Sequence, residues 1–431
     1  MRAIPGKSLS LFDSVCIVVG IMIGAGIYET SPMVTAGTNG WGGTFAIWLA
    51  GGLLALCGAL CYAELASTYP SQGGDVIYLS RAYGSWAGFL FGWSQMIVIR
   101  PADIALMAYV FARYAASLYA PIAHPIPVYA AAAVLTLTTI SILGVHESKW
   151  VQNILTVAKV AGIAFIIAAG LLSSGGEVLA PGREFSSAGL RLGMILVLYT
   201  YGGWNEVAYV AAEIRQPGKN IVRALVLGTL TVTVLYLLIN GAFFKALGYE
   251  RIIASDAVAV DAVASVLPDA ASRVVAVIIC ISALGAVNGM IFTGARISYA
   301  LGEGHRTFRL LGRWHSRLGT PVAALLLQGL LSLGIVLLAG SFIDTILYSA
   351  PAVWLFFLGS GISLFVLRQR EPARDRPFRA TGCPVVPLVF CATCIFMFCS
   401  SASYAFSHRP IGLLVLLCVL VVGGVLARCS R

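Results

Sequence analysis

The sequence contains little charge for its length. Only 11% of the 431 residues are Asp, Glu, Lys or Arg, whereas soluble domains carry about 25%. Because 59% of the residues are hydrophobic, a folded chain in water would expose far more apolar surface than soluble proteins do. The composition therefore excludes a soluble enzyme, a nucleic-acid-binding protein and a disordered scaffold, and it indicates an integral membrane protein.

The sequence also lacks the residue sets of membrane-embedded enzymes and channels. Its five histidines lie in or beside loops, and no pair of them has the spacing of metal ligands. No His-Glu-x-x-His or Gly-x-Ser-x-Gly motif supplies a metal or a nucleophile, and no repeated pore motif is present. We therefore expect no catalytic residue, no metal and no cofactor.

The ten cysteines do not form a recognisable disulfide set. Most of them lie inside apolar stretches, where thiols pack as small hydrophobic side chains. Cys391 and Cys394 have the spacing of a redox or zinc pair, but neither a second pair nor a neighbouring His accompanies them. We interpret the cysteines as core residues, and none of them implies an oxidising compartment.

Long apolar runs predict an all-α integral membrane fold with twelve transmembrane helices. Each crossing needs about 20 residues, so the chain is long enough for twelve with short loops. The first run carries Asp13 and is too long for a signal peptide, so we interpret it as an uncleaved span. The predicted spans cover approximately residues 10–34, 42–69, 85–118, 126–144, 150–173, 189–213, 221–247, 272–301, 320–340, 342–367, 384–407 and 410–427.

The positive charges predict the orientation of these spans. With the amino terminus inside, 18 of the 28 Lys and Arg residues fall on cytoplasmic segments, 7 on the opposite side and 3 within spans. This bias agrees with the positive-inside rule. We therefore expect a multi-pass protein of the cytoplasmic membrane with both termini in the cytoplasm.

Two predicted spans carry glycines near their middle. Gly24 and Gly26 interrupt the first span, and Gly202 and Gly203 interrupt the sixth. Paired interruptions at corresponding positions of two halves indicate the binding site of a secondary transporter, although small residues also serve close helix packing in membranes. Unbonded amides at such breaks attract a carboxylate and unbonded carbonyls attract an ammonium. This chemistry suits a zwitterion, and hence an amino acid.

Several motifs, in order along nearly the whole chain, resemble those of the amino acid–polyamine–organocation superfamily and its L-type amino acid transporter branch. They lie in residues 20–32, 62–75, 201–223 and 287–296. The resemblance implies one permease domain over residues 1–431. It would contain a five-plus-five inverted repeat (about 10–173 and 189–367) with discontinuous helices 1 and 6, followed by two extra helices (about 384–427).

The resemblance also implies a substrate site. The α-carboxylate would meet the backbone of the first break, and the α-amino group would meet carbonyls of the second. Ala25 replaces a common Ser, which removes a hydroxyl donor but leaves the backbone amide. The implied substrate-binding residues are Ile23, Gly24, Ala25, Gly26, Tyr199 as an aromatic gate, Thr200, Gly202 and Asn205, and further gate or specificity candidates are Tyr201, Trp204 and Glu206.

Ionisable residues inside a membrane are costly and indicate function. Lys159 lies deep in the fifth span, and the resemblance implies that its ammonium replaces a sodium ion and ties the first helix to the eighth. Both a proton-cycling lysine and a permanent charge remain open. Glu206 either faces the cavity or pairs with Arg100 or the neighbourhood of Asp103, and Arg100 and Asp103 have the i, i+3 spacing of a self-neutralising pair. Four further charged residues near the cytoplasmic ends of spans are expected to form gate or loop ion pairs: Glu64, Asp75, Glu213 and Arg296.

We therefore expect a secondary active transporter of amino acids that works by alternating access and favours neutral substrates. Obligate exchange and proton-coupled uptake both remain open, as do a cationic amino acid or polyamine transporter of the same fold and a transporter-like sensor without transport. The expected partners are an amino acid, the lipid bilayer and, if Lys159 cycles, protons. Animal members of the branch join a heavy chain through a cysteine after the third helix. Because residues 119–125 contain none, no disulfide-linked heavy chain is expected.

Overall fold

A computed structural model describes residues 6–173, 175, 187–338, 342–408 and 410–429. Over these residues the fold contains α-helices, short 3-10 helices and one π-helical turn, and no named β-strand. The α-helices are α1 (Leu11–Met22), α2 (Gly26–Ala36), α3 (Trp41–Thr68), α4 (Asp75–Tyr83), α5 (Ser85–Ser94), α6 (Arg100–Leu118), α7 (Pro125–Leu143), α8 (Val145–Leu172), α9 (Ser187–Thr200), α10 (Pro217–Ile253), α11 (Val258–Ala264), α12 (Ala271–Gly304), α13 (Val322–Leu338), α14 (Phe342–Arg370), α15 (Val385–His408) and α16 (Pro410–Cys429).

Eight stretches of helix in the described part of the chain are long and apolar enough to cross a membrane. The bent pair α1 and α2 makes a ninth, and three shorter apolar helices, within α9, α13 and α16, fall in further predicted spans. Large apolar side chains on the outer surface, such as Leu172, Leu330 and Phe406, are two-thirds or more exposed. Such a surface needs lipid rather than water around it.

The first span is broken where the glycines predict. Helix α1 ends at Met22 and α2 begins at Gly26, and the two helices meet at an angle of 50°. At its other end α1 is closed by a capping box, in which the Ser10 side chain accepts from the Asp13 amide and the Asp13 carboxylate accepts from the Ser10 amide. The break is therefore a defined bend between two short helices that together form one span.

The sixth span is also interrupted, but its second part differs from the prediction. Helix α9 ends at Thr200, and the chain continues through a turn into 3-10 helices at Glu206–Tyr209 and Ala211–Glu213 rather than into a second α-helix. Gly203 has a φ of 98°, and a Cβ there would lie 2.8 Å from the Ile21 side chain. The backbone of this turn is therefore pressed against α1, which requires a glycine.

The two interruptions lie next to each other. A Cβ on Gly26 would lie 3.2 Å from both the methyl and the hydroxyl of Thr200. The Thr200 hydroxyl is 3.2 Å from that of Thr30 on α2. The Tyr236 hydroxyl on α10 lies 2.9 Å from the Met22 carbonyl and 3.3 Å from the Thr200 carbonyl, so it bridges both breaks. Helices α8, α10 and α12 pack around α1 and hold this junction.

Candidate functional site

A cavity of about 180 Å³ lies between the two breaks, α6, α12 and α14. One water needs only about 10–15 Å³ of such volume, so the cavity accommodates a small organic molecule. Most of its lining is apolar, and its polar side chains gather on α6 and after the second break. The predicted site residues that line it are Gly24, Gly26, Tyr199, Thr200, Gly202, Trp204, Asn205 and Glu206.

The backbone amides of the first break are only partly occupied. The amides of Ile23 and Gly24 donate to the carbonyls of Val19 and Met22, at 3.0 and 3.1 Å. Those of Ala25 and Gly26 have no backbone acceptor among the described residues. Since Ala25 provides no side-chain cap, the amino end of α2 keeps unbonded donors. These donors and the positive end of the helix dipole suit an anionic group.

Lys159 lies behind the first break and is fully buried on α8. Its ammonium donates to the carbonyls of Gly20 at 2.6 Å, Ile23 at 2.7 Å and Ser282 at 2.9 Å. The Ser282 hydroxyl on α12 also donates to the Ile23 carbonyl, at 3.0 Å. The three ammonium protons thus tie the end of α1 to α12, and this geometry matches the contacts that the sequence resemblance implies for this lysine.

The three aromatic candidates at the second break lie in different environments. Tyr199 is 36% exposed and lines the cavity. Trp204 is buried, contributes to the cavity wall and packs on Tyr62 with ring centroids 5.0 Å apart. Tyr201 lies outside the cavity: it is 1% exposed, and its hydroxyl donates to the Trp48 carbonyl. Its proposed gate role is therefore corrected to core packing, because its side chain lies among α3 and α10.

Asn205 leads from the cavity into a buried chain of hydrogen bonds. Its amide donates to the Tyr209 hydroxyl at 2.8 Å, and that hydroxyl donates to Asp75 at 3.0 Å. The other Asp75 oxygen accepts from the hydroxyls of Tyr62 and Ser360. Asp75 was expected to form an ion pair, but among the described residues its carboxylate is held by hydroxyl groups.

Asp75 begins α4, between the spans, and it is fully buried. Burial raises the pKa of Asp75 to about 6, although the hydrogen bonds from Ser360, Tyr62 and Tyr209 act in the opposite direction. An unfolded Asp titrates near 3.9. The folded state therefore binds more protons than the unfolded state between about pH 4 and 6, and the contribution of Asp75 to stability falls as pH rises through this window.

Substituting Asp75→Asn is expected to remove this pH dependence. Thermal unfolding in detergent should give the wild-type protein a stability loss between about pH 4 and 6 that the variant lacks, with a slope of up to about 1.4 kcal/mol per pH unit. Asp256→Asn, on an exposed segment, is the control and should keep the wild-type profile. Parallel profiles for wild type and Asp75→Asn would contradict the assignment.

The charges on α6 adopt one of the two pairings considered from the sequence. Arg100 and Asp103 have the spacing of a pair on one helix, but the ion pair that forms is the other one, between Arg100 and Glu206. The Nη2 of Arg100 lies 3.0 Å from Oε1 of Glu206, and both side chains are buried. The second Glu206 oxygen accepts from the Thr293 hydroxyl at 2.5 Å. Glu206 therefore does both things considered for it, because it pairs with Arg100 and also lines the cavity.

Further buried carboxylates form a layer of ion pairs on the side of the two breaks where the chain enters α1. Leu9, just before α1, donates its amide to the Glu213 carbonyl there. Arg296 and Glu213 make a double contact at 2.9 and 3.1 Å and are almost completely buried. Glu64 contacts Arg368 at 2.5 Å and Arg376 at 3.5 Å. These pairs join α3, α12, α14 and the segment after the second break. The prediction of ion pairs is correct for Glu64, Glu213 and Arg296.

Two polar residues of the site, Gln95 and Ser282, were not predicted from the sequence. Gln95 lines the cavity, is 4% exposed and has a side-chain oxygen without a hydrogen-bond partner. Ser282 bonds to the carbonyls of the first break. A polar side chain in an apolar span was the available signal for both. The role of these two side chains could not be inferred from that signal, because single polar residues in spans also serve helix packing.

No group of His, Cys, Asp and Glu side chains within the described segments has the arrangement of a metal site. The nine cysteines whose side chains are described are all unpaired. Cys391 and Cys394 are buried in α15 among apolar side chains.

A many-helix membrane protein whose interrupted helices surround a small central cavity has the architecture of a secondary transporter. The family model described as "Amino acid permease" matches residues 9–423, and the chain belongs to this family. Because this is a family of transporters, the predictions of family membership and of a protein that is not an enzyme are confirmed.

Three similar proteins cover most of the chain. The b(0,+)-type amino acid transporter 1 of Mus musculus is 33% identical over 91% of this chain and 82% of its own length. The cystine/glutamate transporter of Homo sapiens is 31% identical over 91% of this chain and 79% of its own. The large neutral amino acids transporter small subunit 2 of Mus musculus is 32% identical over 90% and 75%.

Proposed function

We propose that the protein is a secondary active transporter that moves amino acids across the cytoplasmic membrane by alternating access. The observation that carries the proposal is the meeting of the two interrupted helices at a cavity, with the amides of Ala25 and Gly26 unbonded at one side. These amides would hold the α-carboxylate. Carbonyls of residues 199–202 would hold the α-amino group, and Tyr199 would cover the bound substrate.

The proposed architecture is twelve transmembrane helices. The nine long or bent spans and the three shorter apolar helices support this number. The two interrupted spans, one at α1 and α2 and one at α9, would open the two halves of a five-plus-five inverted repeat. Helices α15 and α16 would be additional, and the whole would form one permease domain. The uneven distribution of Lys and Arg, with 18 of 28 on the segments placed in the cytoplasm, supports cytoplasmic termini.

In this orientation the ion-pair layer of Glu64, Glu213 and Arg296 lies on the cytoplasmic side of the cavity. The layer is intact, so the conformation is closed toward the cytoplasm. Alternating access would require these buried pairs to separate, which costs several kcal/mol unless water enters. Substrate binding at the breaks would provide part of that free energy, since Glu213 and the second break belong to the same segment.

Neutral amino acids remain candidate substrates because the cavity wall is largely apolar, for example at Met107, Met290 and Phe357. Cationic amino acids are the second candidate, and the carboxylate of Asp103 in the cavity favours them.

The absence of cysteine from residues 119–125 argues against a heavy chain attached by a disulfide there. One of the similar proteins, large neutral amino acids transporter small subunit 2, is itself named as a subunit.

Transport in proteoliposomes tests the proposal. We expect labelled amino acid to enter vesicles preloaded with unlabelled amino acid, well above protein-free vesicles. If Lys159 cycles a proton, an inward proton gradient should drive accumulation in empty vesicles. Uptake that requires internal amino acid would identify exchange instead. Ligand-induced stabilisation without any flux would identify a sensor, and uptake of polyamines in preference to amino acids would contradict recognition of a zwitterion.

A further inference from the structure

One part of the cavity wall, here called the floor, is formed by Gln95, Arg100, Asp103 and Glu206. Recognition of a zwitterion by the backbone of the two breaks does not use these side chains. The helix that carries Gln95, Arg100 and Asp103 changes its winding at this point. Arg100 donates its amide to the carbonyl of Gln95, five residues back, at the end of a π-helical turn over Gln95–Ile99. Pro101 has no amide proton to continue the α-helical pattern. A π turn of this kind is frequent at functional sites, and here it brings Gln95, Arg100 and Asp103 to the cavity wall.

Arg100 is already neutralised by the protein. It pairs with Glu206 at 3.0 Å, and the other Glu206 oxygen is held by Thr293. The pair is buried, with side-chain exposures of 4% and 8%. Although the Nε of Arg100 has no hydrogen-bond partner, the guanidinium charge is compensated at contact distance. The pair therefore leaves no net positive charge for a substrate.

Asp103 is compensated less directly, because the Arg100 guanidinium attracts its carboxylate without contacting it. No hydrogen bond or ion pair links its carboxylate to another described residue, and its side chain is partly exposed at the cavity. The ionisable side chains that line the described cavity, other than the phenols of Tyr199 and Tyr209, are Arg100, Glu206 and Asp103. Two carboxylates against one guanidinium give the floor an excess of one negative charge when all three are ionised. A carboxylate inside a membrane that makes no ion pair or hydrogen bond marks a functional position.

A second acceptor lies on the same helix. The Gln95 side chain is 96% buried, since its exposure is 4%, and its carbonyl oxygen has no partner among the described residues. A buried amide oxygen left without a donor costs free energy. Because Gln95 lies eight residues before Asp103, roughly 12 Å along the helix at the usual rise per residue, a substrate would need separate N–H donors to satisfy the two groups.

The distance from the breaks to this floor fits a long side chain. The sulfur of Met107 on α6 lies 3.4 Å from the point where a Cβ on Gly24 would be. Asp103 is one helical turn further toward the beginning of α6, roughly 6 Å at the usual rise per residue. A substrate held by its α-groups at the first break would therefore place the end of a lysine or arginine side chain near Asp103.

We propose that Asp103 is a specificity-determining residue that makes the site bind amino acids with a cationic side chain more tightly than neutral ones. This proposal rests on the function proposed above. An anionic side chain would meet the excess negative charge of the floor, although the Nε of Arg100 is an unbonded donor there. Preference for glutamate is therefore the outcome opposite to this proposal.

The test compares ligands that differ in the terminal charge. The dissociation constants of lysine, norleucine and glutamate are measured on the purified full-length protein by ligand-induced thermal shift and calorimetry. Wild type should bind lysine more tightly than norleucine. Asp103→Asn keeps the shape of the side chain and should weaken lysine by about tenfold or more, while norleucine changes less than about twofold. Asp269→Asn, in an exposed segment, is the control and should change neither.

The outcomes distinguish a failure of the Asp103 proposal from a failure of the proposed transport function. If wild type binds none of the twenty amino acids, the proposed transport function is wrong. If it binds norleucine as tightly as lysine, or if Asp103→Asn weakens both ligands equally, only the role of Asp103 is wrong. Tighter binding of glutamate than of lysine would overturn it in favour of recognition by Arg100. A melting curve without ligand checks that Asp103→Asn is folded.

Discussion

Replacing Gly202 by Val is expected to weaken amino acid binding at least ~100-fold, or roughly 3 kcal/mol, while the protein remains folded in the membrane. Gly202 is exposed at the cavity, and a Cβ there would meet only the Tyr199 carbonyl oxygen, at 3.0 Å. The new side chain would therefore project into a cavity of only about 180 Å³. It would occupy the space between the two breaks rather than disturb the helix packing.

The matched control is Gly424→Val on α16, where a Cβ would meet no other group within 4 Å. Both variants receive the same side chain, so binding should be lost in the first and kept in the second. Affinity is measured by calorimetry and folding by a melting curve without ligand. Wild-type affinity in Gly202→Val would mean that the substrate binds somewhere other than at the second break.

Replacing Lys159 by Met is expected to reduce transport ~100-fold or more and to destabilise the protein. The methionine matches the lysine in length but donates no hydrogen bond, so the carbonyls of Gly20, Ile23 and Ser282 lose their shared donor. Each buried polar group left unsatisfied costs about 1–3 kcal/mol. The end of α1 would no longer be tied to α12, and the first break would lose its geometry.

Counterflow in proteoliposomes and thermal unfolding in detergent measure the two effects. The control is Lys245→Met, which alters an exposed lysine and should leave both quantities near wild type. Transport by Lys159→Met at the wild-type rate would contradict a coupling or structural role for this lysine. Loss of stability with normal transport in the surviving protein would reduce its role to packing.

The parts of the fold that local rules determine were predictable from the sequence. Apolar runs predicted the long helices to within a few residues, since lipid imposes both their length and their hydrophobicity. The glycines at 24 and 26 predicted the break in the first span, which is confirmed by the gap between Met22 and Gly26. The motifs around both breaks also gave the correct family.

The parts that depend on which helices meet were not predictable. Spacing left both Asp103 and Glu206 as partners of Arg100, and only the fold shows that the buried ion pair forms with Glu206. Asp75 was assigned to an ion pair, whereas three hydroxyls from other elements surround it. Tyr201 was a candidate for the gate because it adjoins the glycines, yet its ring faces α10. In each case at least one contact partner lies far away in the sequence.

The most direct test of the account is an experimental structure of the purified protein with its tightest-binding amino acid. We predict the α-carboxylate within hydrogen-bonding distance of the Ala25 and Gly26 amides, the α-amino group at carbonyls of residues 199–202, and the side chain directed toward Asp103. A first span that continues as one helix through residues 20–28, or a ligand bound outside the junction of the two breaks, would contradict the account.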